Sequence, residues 1–142
     1  MSVSAKSEVG RYLADHKPPP GHRPPDVNRA GCPSRLVLEH VTSRWGVLVL
    51  AVLRERSFRF SELRREVSGV SEKMLAQTLQ TLERDGFVHR DAKPVIPPHV
   101  DYSLTALGEQ AAAQVWALAR WAESSLEDVF RAREAYDAAR GD

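Results

Sequence analysis

The sequence predicts a mainly α fold with one small β-hairpin (α+β), and three observations carry that expectation. Between Cys32 and Asp85, short segments of helical apolar periodicity each begin at a serine able to cap a helix: Ser34, Ser43, Ser61 and Ser71. After Gly86 the period changes to alternation in Phe87-Val88-His89-Arg90 and Val100-Asp101-Tyr102-Ser103-Leu104, around a proline-rich turn from Pro94 to Pro98. From Thr105 the helical period returns and runs towards Tyr136. The order is helix, helix, short strand, helix, helix, two-stranded wing and closing helix. That is the layout of a winged helix-turn-helix, with terminal helices free to form a dimer.

Each element has its own justification. The first helix, from Ser34 to Val41, offers a short stripe of Leu36, Val37, His40 and Val41. The second, Arg44 to Arg56, is apolar almost all round, which predicts a buried central helix. Phe58 to Phe60 reads as extended, and Ser61 starts a third helix that turns Leu63 and Val67 inward. A turn at Gly69-Val70 leads to the fourth helix, which Ser71 caps and which ends near Asp85.

Residues 1–31 read as a flexible Pro-rich arm, because the stretch from Lys17 to Pro25 removes backbone donors and disfavours helix. A helix over Ser4 to Asp15 has little support. The winged domain is expected over 32–128, including the start of a long dimerisation helix, with the end of that helix and a frayed tail over 129–142. Apolar content of 42% and charged content of 27% are ordinary for a globular chain. The longest apolar run, Trp45 to Leu53, is far shorter than the ~18 residues a membrane span needs. Met1 to Tyr12 has no apolar signal core, and one cysteine excludes an internal disulfide framework. A cytoplasmic protein with no membrane partner is the expectation.

The fourth helix is the most informative about function. Leu75, Leu79 and Leu82 define one inward stripe, and the opposite face carries Lys73, Gln77, Gln80 and Arg84 with Thr81 beside them. Lys and Arg hold phosphates or bond guanine, and Gln can bond adenine edges in the major groove. Arg59, Arg64 and Arg65 flank the third helix, and Arg90, Lys93 and His99 stand on the hairpin, where they would supply affinity and register. Net charge is only +1. From Arg54 to Lys93, however, nine Lys/Arg face seven Asp/Glu, while from Ala106 onward four face seven. Double-stranded DNA is the expected partner of the middle of the chain.

The chain also resembles a known family. Cys32-Pro33 with Trp45 thirteen residues later, then Phe60-Ser61-Glu62-Leu63-Arg64, is similar to the HxlR-type winged helix-turn-helix regulators. So are Leu79-x-x-Leu82-Glu83-x-Asp85-Gly86-Phe87-Val88-x-Arg90 and Pro97-Pro98-x-Val100-x-Tyr102-Ser103-Leu104-Thr105-x-x-Gly108. The resemblance implies a dimeric bacterial transcription regulator without enzyme activity or cofactor, answering in several members to electrophiles, oxidants or small metabolites. It places Ser71, Lys73, Met74, Gln77 and Thr78 on the DNA-reading helix, and Lys93 and His99 on the wing. Thr78 and His99 stand where arginine is common in the family. It also implies that Cys32 is a redox or electrophile sensor, a role that requires a thiolate favoured by nearby cations or a helix N-terminus. Arg29 and Arg35 are close to it in sequence.

The last helix repeats Leu107, Ala111, Val115, Leu118, Ala122 and Leu126 in steps of three and four, a seam able to pair with its symmetry mate. Trp116 and Trp121 lie off that seam. Core packing is their expected role, a ligand pocket or a cover for the partner the alternative. Among rival functions, catalysis finds no metal-spaced cluster and no Gly-rich loop after a strand. A winged-helix module for protein association, without DNA binding, is the remaining alternative.

Overall fold

A computed structural model describes residues 26–141. The proline-rich stretch and the segment Ser4 to Asp15 lie outside the described residues. The elements are α1 (Pro33–Thr42), α2 (Arg44–Leu53), β1 (Phe58–Arg59), α3 (Phe60–Glu66), α4 (Glu72–Arg84), β2 (Val88–Lys93), β3 (His99–Leu104), α5 (Ala106–Ser124) and α6 (Leu126–Arg140). The chain divides into two units, one ending at Arg35 and one beginning at Leu36.

In the first unit, Asp26 organises a tight turn. Its carboxylate accepts the Asn28 N–H at 3.0 Å, and its carbonyl accepts the Arg29 N–H at 3.1 Å. The Arg35 guanidinium donates to the carbonyls of Val27 and Asn28, both at 2.8 Å. Helix α1 starts at Pro33, whose fixed φ suits a first helical position. Ser34 therefore lies inside the first turn and is not the residue before it.

In the second unit the core is one cluster of α2, α3, α4, the hairpin and α5, built on Val49, Leu50, Leu53, Phe58, Leu63, Leu75, Leu79, Leu82, Val88 and Val115. The expected caps hold at three helices. Ser43 Oγ accepts the Gly46 N–H at 3.1 Å, Ser71 Oγ the Met74 N–H at 3.1 Å, and Thr105 Oγ1 the Gly108 N–H at 2.9 Å. Helix α3 differs. It begins at Phe60, and the Glu62 carboxylate reaches back to the Arg59 N–H at 2.9 Å, so Ser61 is not its cap. That bond, with the Arg56 guanidinium second, holds the Glu62 carboxyl below the usual carboxylate range.

Helix α4 ends in a Schellman motif. The Phe87 N–H reaches the Leu82 carbonyl at 2.9 Å and the Gly86 N–H reaches Glu83 at 3.0 Å, with Gly86 at φ +83°. The chain is thereby turned straight from α4 into β2. Strands β2 and β3 pair antiparallel from Val88 opposite Leu104 to Lys93 opposite His99. The sheet has a third strand whose pairing the sequence does not reveal: β1 lies on β3, with Phe58 opposite Tyr102 and Arg59 opposite Asp101.

Three further expectations change. Helix α2 is not buried all round: Gly46, Val49, Leu50 and Leu53 face the core, whereas Leu48 is exposed. The closing helix is two helices, interrupted at Ser125, where the Trp121 carbonyl accepts both the Ser125 N–H at 2.9 Å and the Ser124 hydroxyl at 3.1 Å. Helix α6 then continues to Arg140, past the expected end near Tyr136. No single helix among the described residues is long and apolar enough to cross a membrane.

Candidate nucleic-acid interface

The second helix of the helix-turn-helix, α4, is held from below by Leu75, Leu79 and Leu82, all buried in the core. That fixes which side chains look outward. Lys73, Met74, Gln77, Gln80 and Arg84 are exposed. Among the described residues, Lys73, Gln77, Gln80 and Arg84 have no side-chain hydrogen bond or ion pair within the protein. Their donors and acceptors are therefore open to a ligand. Thr78 and Thr81 lie along one edge of this face, and the Thr78 hydroxyl donates to the Met74 carbonyl at 2.7 Å. Ser71 is committed to capping. Glu72, the acid of the first turn, is drawn onto Arg64 at 3.0 Å.

Along that edge runs a cleft of about 380 Å³ lined by Met74, Gln77, Thr78 and Thr81 on one side and Arg44 and Trp45 on the other. The Arg44 guanidinium stacks over the Trp45 ring at 5.5 Å. Sequence reasoning passes over Arg44, because its neighbours in α2 are apolar. A cation at the first position of a buried helix, where it opposes the helix dipole, was the available signal. The end of α4 is tied to the end of α1 by His40 Nδ1, 2.5 Å from the Asp85 carboxylate.

The flanking basic residues fall into two groups. Arg59, Arg65, Arg84 and Arg90 are exposed and in no ion pair among the described residues. Arg64, Lys93 and His99 have acidic partners: Glu72 at 3.0 Å, Asp91 at 2.5 Å and Asp101 at 3.5 Å respectively. The Lys93 pair is reciprocal. Its hydrogen bond holds the Asp91 carboxyl below, and the Lys93 ammonium above, their ordinary ranges.

At Cys32 the sulfur accepts the Asp26 N–H at 3.1 Å and lies 2.9 Å from Ser34 Oγ. The Ser34 hydrogen bond, followed by the Asp26 amide, lowers the thiol below its ordinary value. The cations expected to do this are otherwise engaged, Arg35 with two carbonyls and Arg29 with Asp26 at 3.5 Å.

The expected seam on the last helix is partly redrawn. Val115 is 4% exposed and packs with Gly108 and Ala112 into the protomer's own core, so it is not available to a partner. Leu107, Leu118, Ala122 and Leu126 lie outside that core, and Ala111 is half-buried. The tryptophans do not occupy the core. The Arg54 and Arg120 guanidinium groups both lie over the Trp116 ring, at 4.6 and 5.5 Å from its centre, and Trp121 is 59% exposed.

A helix-turn-helix whose second helix presents open donors and acceptors, followed at once by a β-hairpin, defines a winged-helix DNA-binding protein. The chain belongs to the HxlR-like helix-turn-helix family, whose model matches residues 40–130, and it is a DNA-binding transcriptional regulator. It is 64% identical over 103 residues to the uncharacterized HTH-type transcriptional regulator YtfH of Escherichia coli (strain K12), covering 72% of this chain and 82% of that one. The solved structure of the transcriptional regulator ytfH from Salmonella typhimurium is similar with a TM-score of 0.75 at 58% identity, over 78% of this chain and 99% of the other. The redox regulator HypR in its oxidized form is similar with a TM-score of 0.61 at 33% identity, over 66% and 96%. Nothing among these likenesses favours a protein-association module over a DNA-binding one.

Proposed function

We propose that the protein acts as a cytoplasmic bacterial homodimer that reads duplex DNA with α4 and regulates transcription in response to a thiol-reactive or small-molecule effector. The observation that carries the reading is the outer face of α4, where Lys73, Gln77 and Arg84 are exposed and, among the described residues, uncommitted above a buried leucine stripe. In this reading Gln77 bonds a base edge, and Met74, Thr78 and Thr81 complete the surface facing the groove. Arg59, Arg65, Arg84 and Arg90 hold phosphates, with Arg44 beside them. Two-fold symmetry then places half-sites about 34–36 Å apart, or a multiple of that.

Titration of variants on operator and random duplex, at several salt concentrations, tests this. Gln77→Ala is expected to cost ~1–3 kcal/mol on the operator and little on random DNA. Arg65→Ala should weaken both alike and reduce the salt slope by roughly 0.9 per lost phosphate contact, doubled in a dimer. Lys93→Ala should change the slope less, because Asp91 already holds the ammonium. Equal losses on both duplexes for Gln77→Ala would remove it as a reader.

The effector side rests on Cys32, whose thiolate is favoured by Ser34 and by the Asp26 amide. Iodoacetamide should alkylate Cys32 at lower pH than a free cysteine, and Ser34→Ala should move the profile upward. Diamide should weaken operator binding by the protein and leave Cys32→Ser unaffected. Equal responses from the two would exclude Cys32 as the switch and direct the search to a non-covalent ligand.

A further inference from the structure

We infer that Ile96, at the tip of the wing, is an apolar wedge that enters the minor groove and parts a base step, so that the wing reads DNA deformability. This rests on the DNA-reading assignment above. Ile96 is 100% exposed, and Val95 beside it is 49% exposed. A large aliphatic side chain wholly in water contributes nothing to the protomer's own folding. It is presented on a turn in which three of five residues, Pro94, Pro97 and Pro98, have φ fixed by their rings. Little conformational freedom is then lost when the tip is seated.

The charges of the wing argue against a purely electrostatic grip. Between Val88 and Leu104 the two cations Arg90 and Lys93 meet two carboxylates, Asp91 and Asp101, which face each other across the strands. Of the pair flanking the turn, Lys93 is drawn back onto Asp91, and His99 Nε2 lies 3.5 Å from the Asp101 carboxylate. What the tip offers to DNA is therefore apolar. Its reach is adequate. Strands of six residues extend about 20 Å from the C-terminal end of α4. That exceeds the major-groove width of about 12 Å and carries the tip over the phosphate ridge to the neighbouring minor groove. Apolar side chains inserted there unstack bases, most cheaply at the flexible TA and CA/TG steps.

Selection from a pool of randomised duplexes tests the wedge and supplies the operator sequence in the same experiment. The full-length protein and Ile96→Leu should both enrich a two-fold half-site and, at a fixed distance outside it, a TA or CA/TG step. Ile96→Ala should enrich the same half-site without the flanking step, and should bind the duplex chosen by the unaltered protein on the order of ten-fold more weakly. 2-Aminopurine placed at the flanking step should brighten on binding of the unaltered protein and of Ile96→Leu, and stay quenched with Ile96→Ala. A flanking preference shared by Ile96→Ala, or absent from the unaltered protein, overturns the wedge. If no half-site emerges with any of the three proteins, it is the DNA-reading assignment that falls, and the wedge with it.

Discussion

Gly108→Ala is expected to destabilise the folded protomer by more than about 3 kcal/mol, although it adds a single methyl group. A Cβ at this position would lie 1.8 Å from the Phe87 carbonyl oxygen and 2.8 Å from its carbon. The obstacle is backbone, held in place on both sides. The Phe87 N–H is bonded to Leu82, and the Phe87 carbonyl accepts the Thr105 N–H at 3.1 Å. Thr105 in turn donates from Oγ1 to the Gly86 carbonyl at 2.5 Å while capping α5. Relief therefore requires lifting α5 off the hairpin, which opens the core at Ala112 and Val115. Urea denaturation should show a much lower midpoint, while Gly31→Ala, whose new methyl meets no described residue beyond its chain neighbours within 4 Å, should leave it unchanged. A Gly108→Ala midpoint equal to that of the parent would show that α5 can shift without loss.

If the chain pairs as proposed, the double substitution Leu118→Asp with Leu126→Asp is expected to leave it monomeric at micromolar concentration, where the parent sediments as a dimer. Both leucines are about half exposed in the protomer, beside exposed Ala122 and Trp121. Exposed apolar residues also stand on α1 and α2, at Leu36, Val37, Leu38 and Leu48. Where such side chains adjoin in one patch, they mark an interface. Carboxylates buried there without partners should cost several kcal/mol, on the order of a 10³-fold loss of association or more. Operator affinity should fall with it, since each protomer would hold one half-site alone. Val115→Asp should behave differently. Because Val115 is inside the protomer core, its substitution should unfold the chain and not merely dissociate it. Sedimentation velocity with circular dichroism separates the two, and a stable, unaltered Leu118→Asp/Leu126→Asp dimer would move the interface elsewhere.

Much of the molecule was legible because local chemistry and global fold agree. Leu75, Leu79 and Leu82 repeat at helical spacing, Ser71 offers a cap, and Gly86 supplies the left-handed stop, so α4 and its outward face follow from neighbouring residues alone. The same holds for Ser43, for Thr105 and for the change to strand period after Gly86. The family resemblance added the expectations that α4 reads DNA and that Cys32 is a sensor. Ser61 misled because Glu62, one residue later, satisfies the Arg59 amide instead. The break at Ser125 was obscured by an apolar period that continues through it.

Element types, their order, the winged helix-turn-helix layout and the polar face of α4 are set by spacing and capping over a few residues, and the linear chain suffices to read them. Other features appear only once the chain is folded: β1 joins the wing as a third strand, and Val115 faces the protomer core. Folding also sets Arg44 beside the outward face of α4 and gives Arg64, Lys93 and His99 acidic partners. These depend on which surfaces meet across long stretches of chain. Apolar periodicity says that a residue is buried without saying against what, and a charge in sequence carries no record of the opposite charge that folding brings to it.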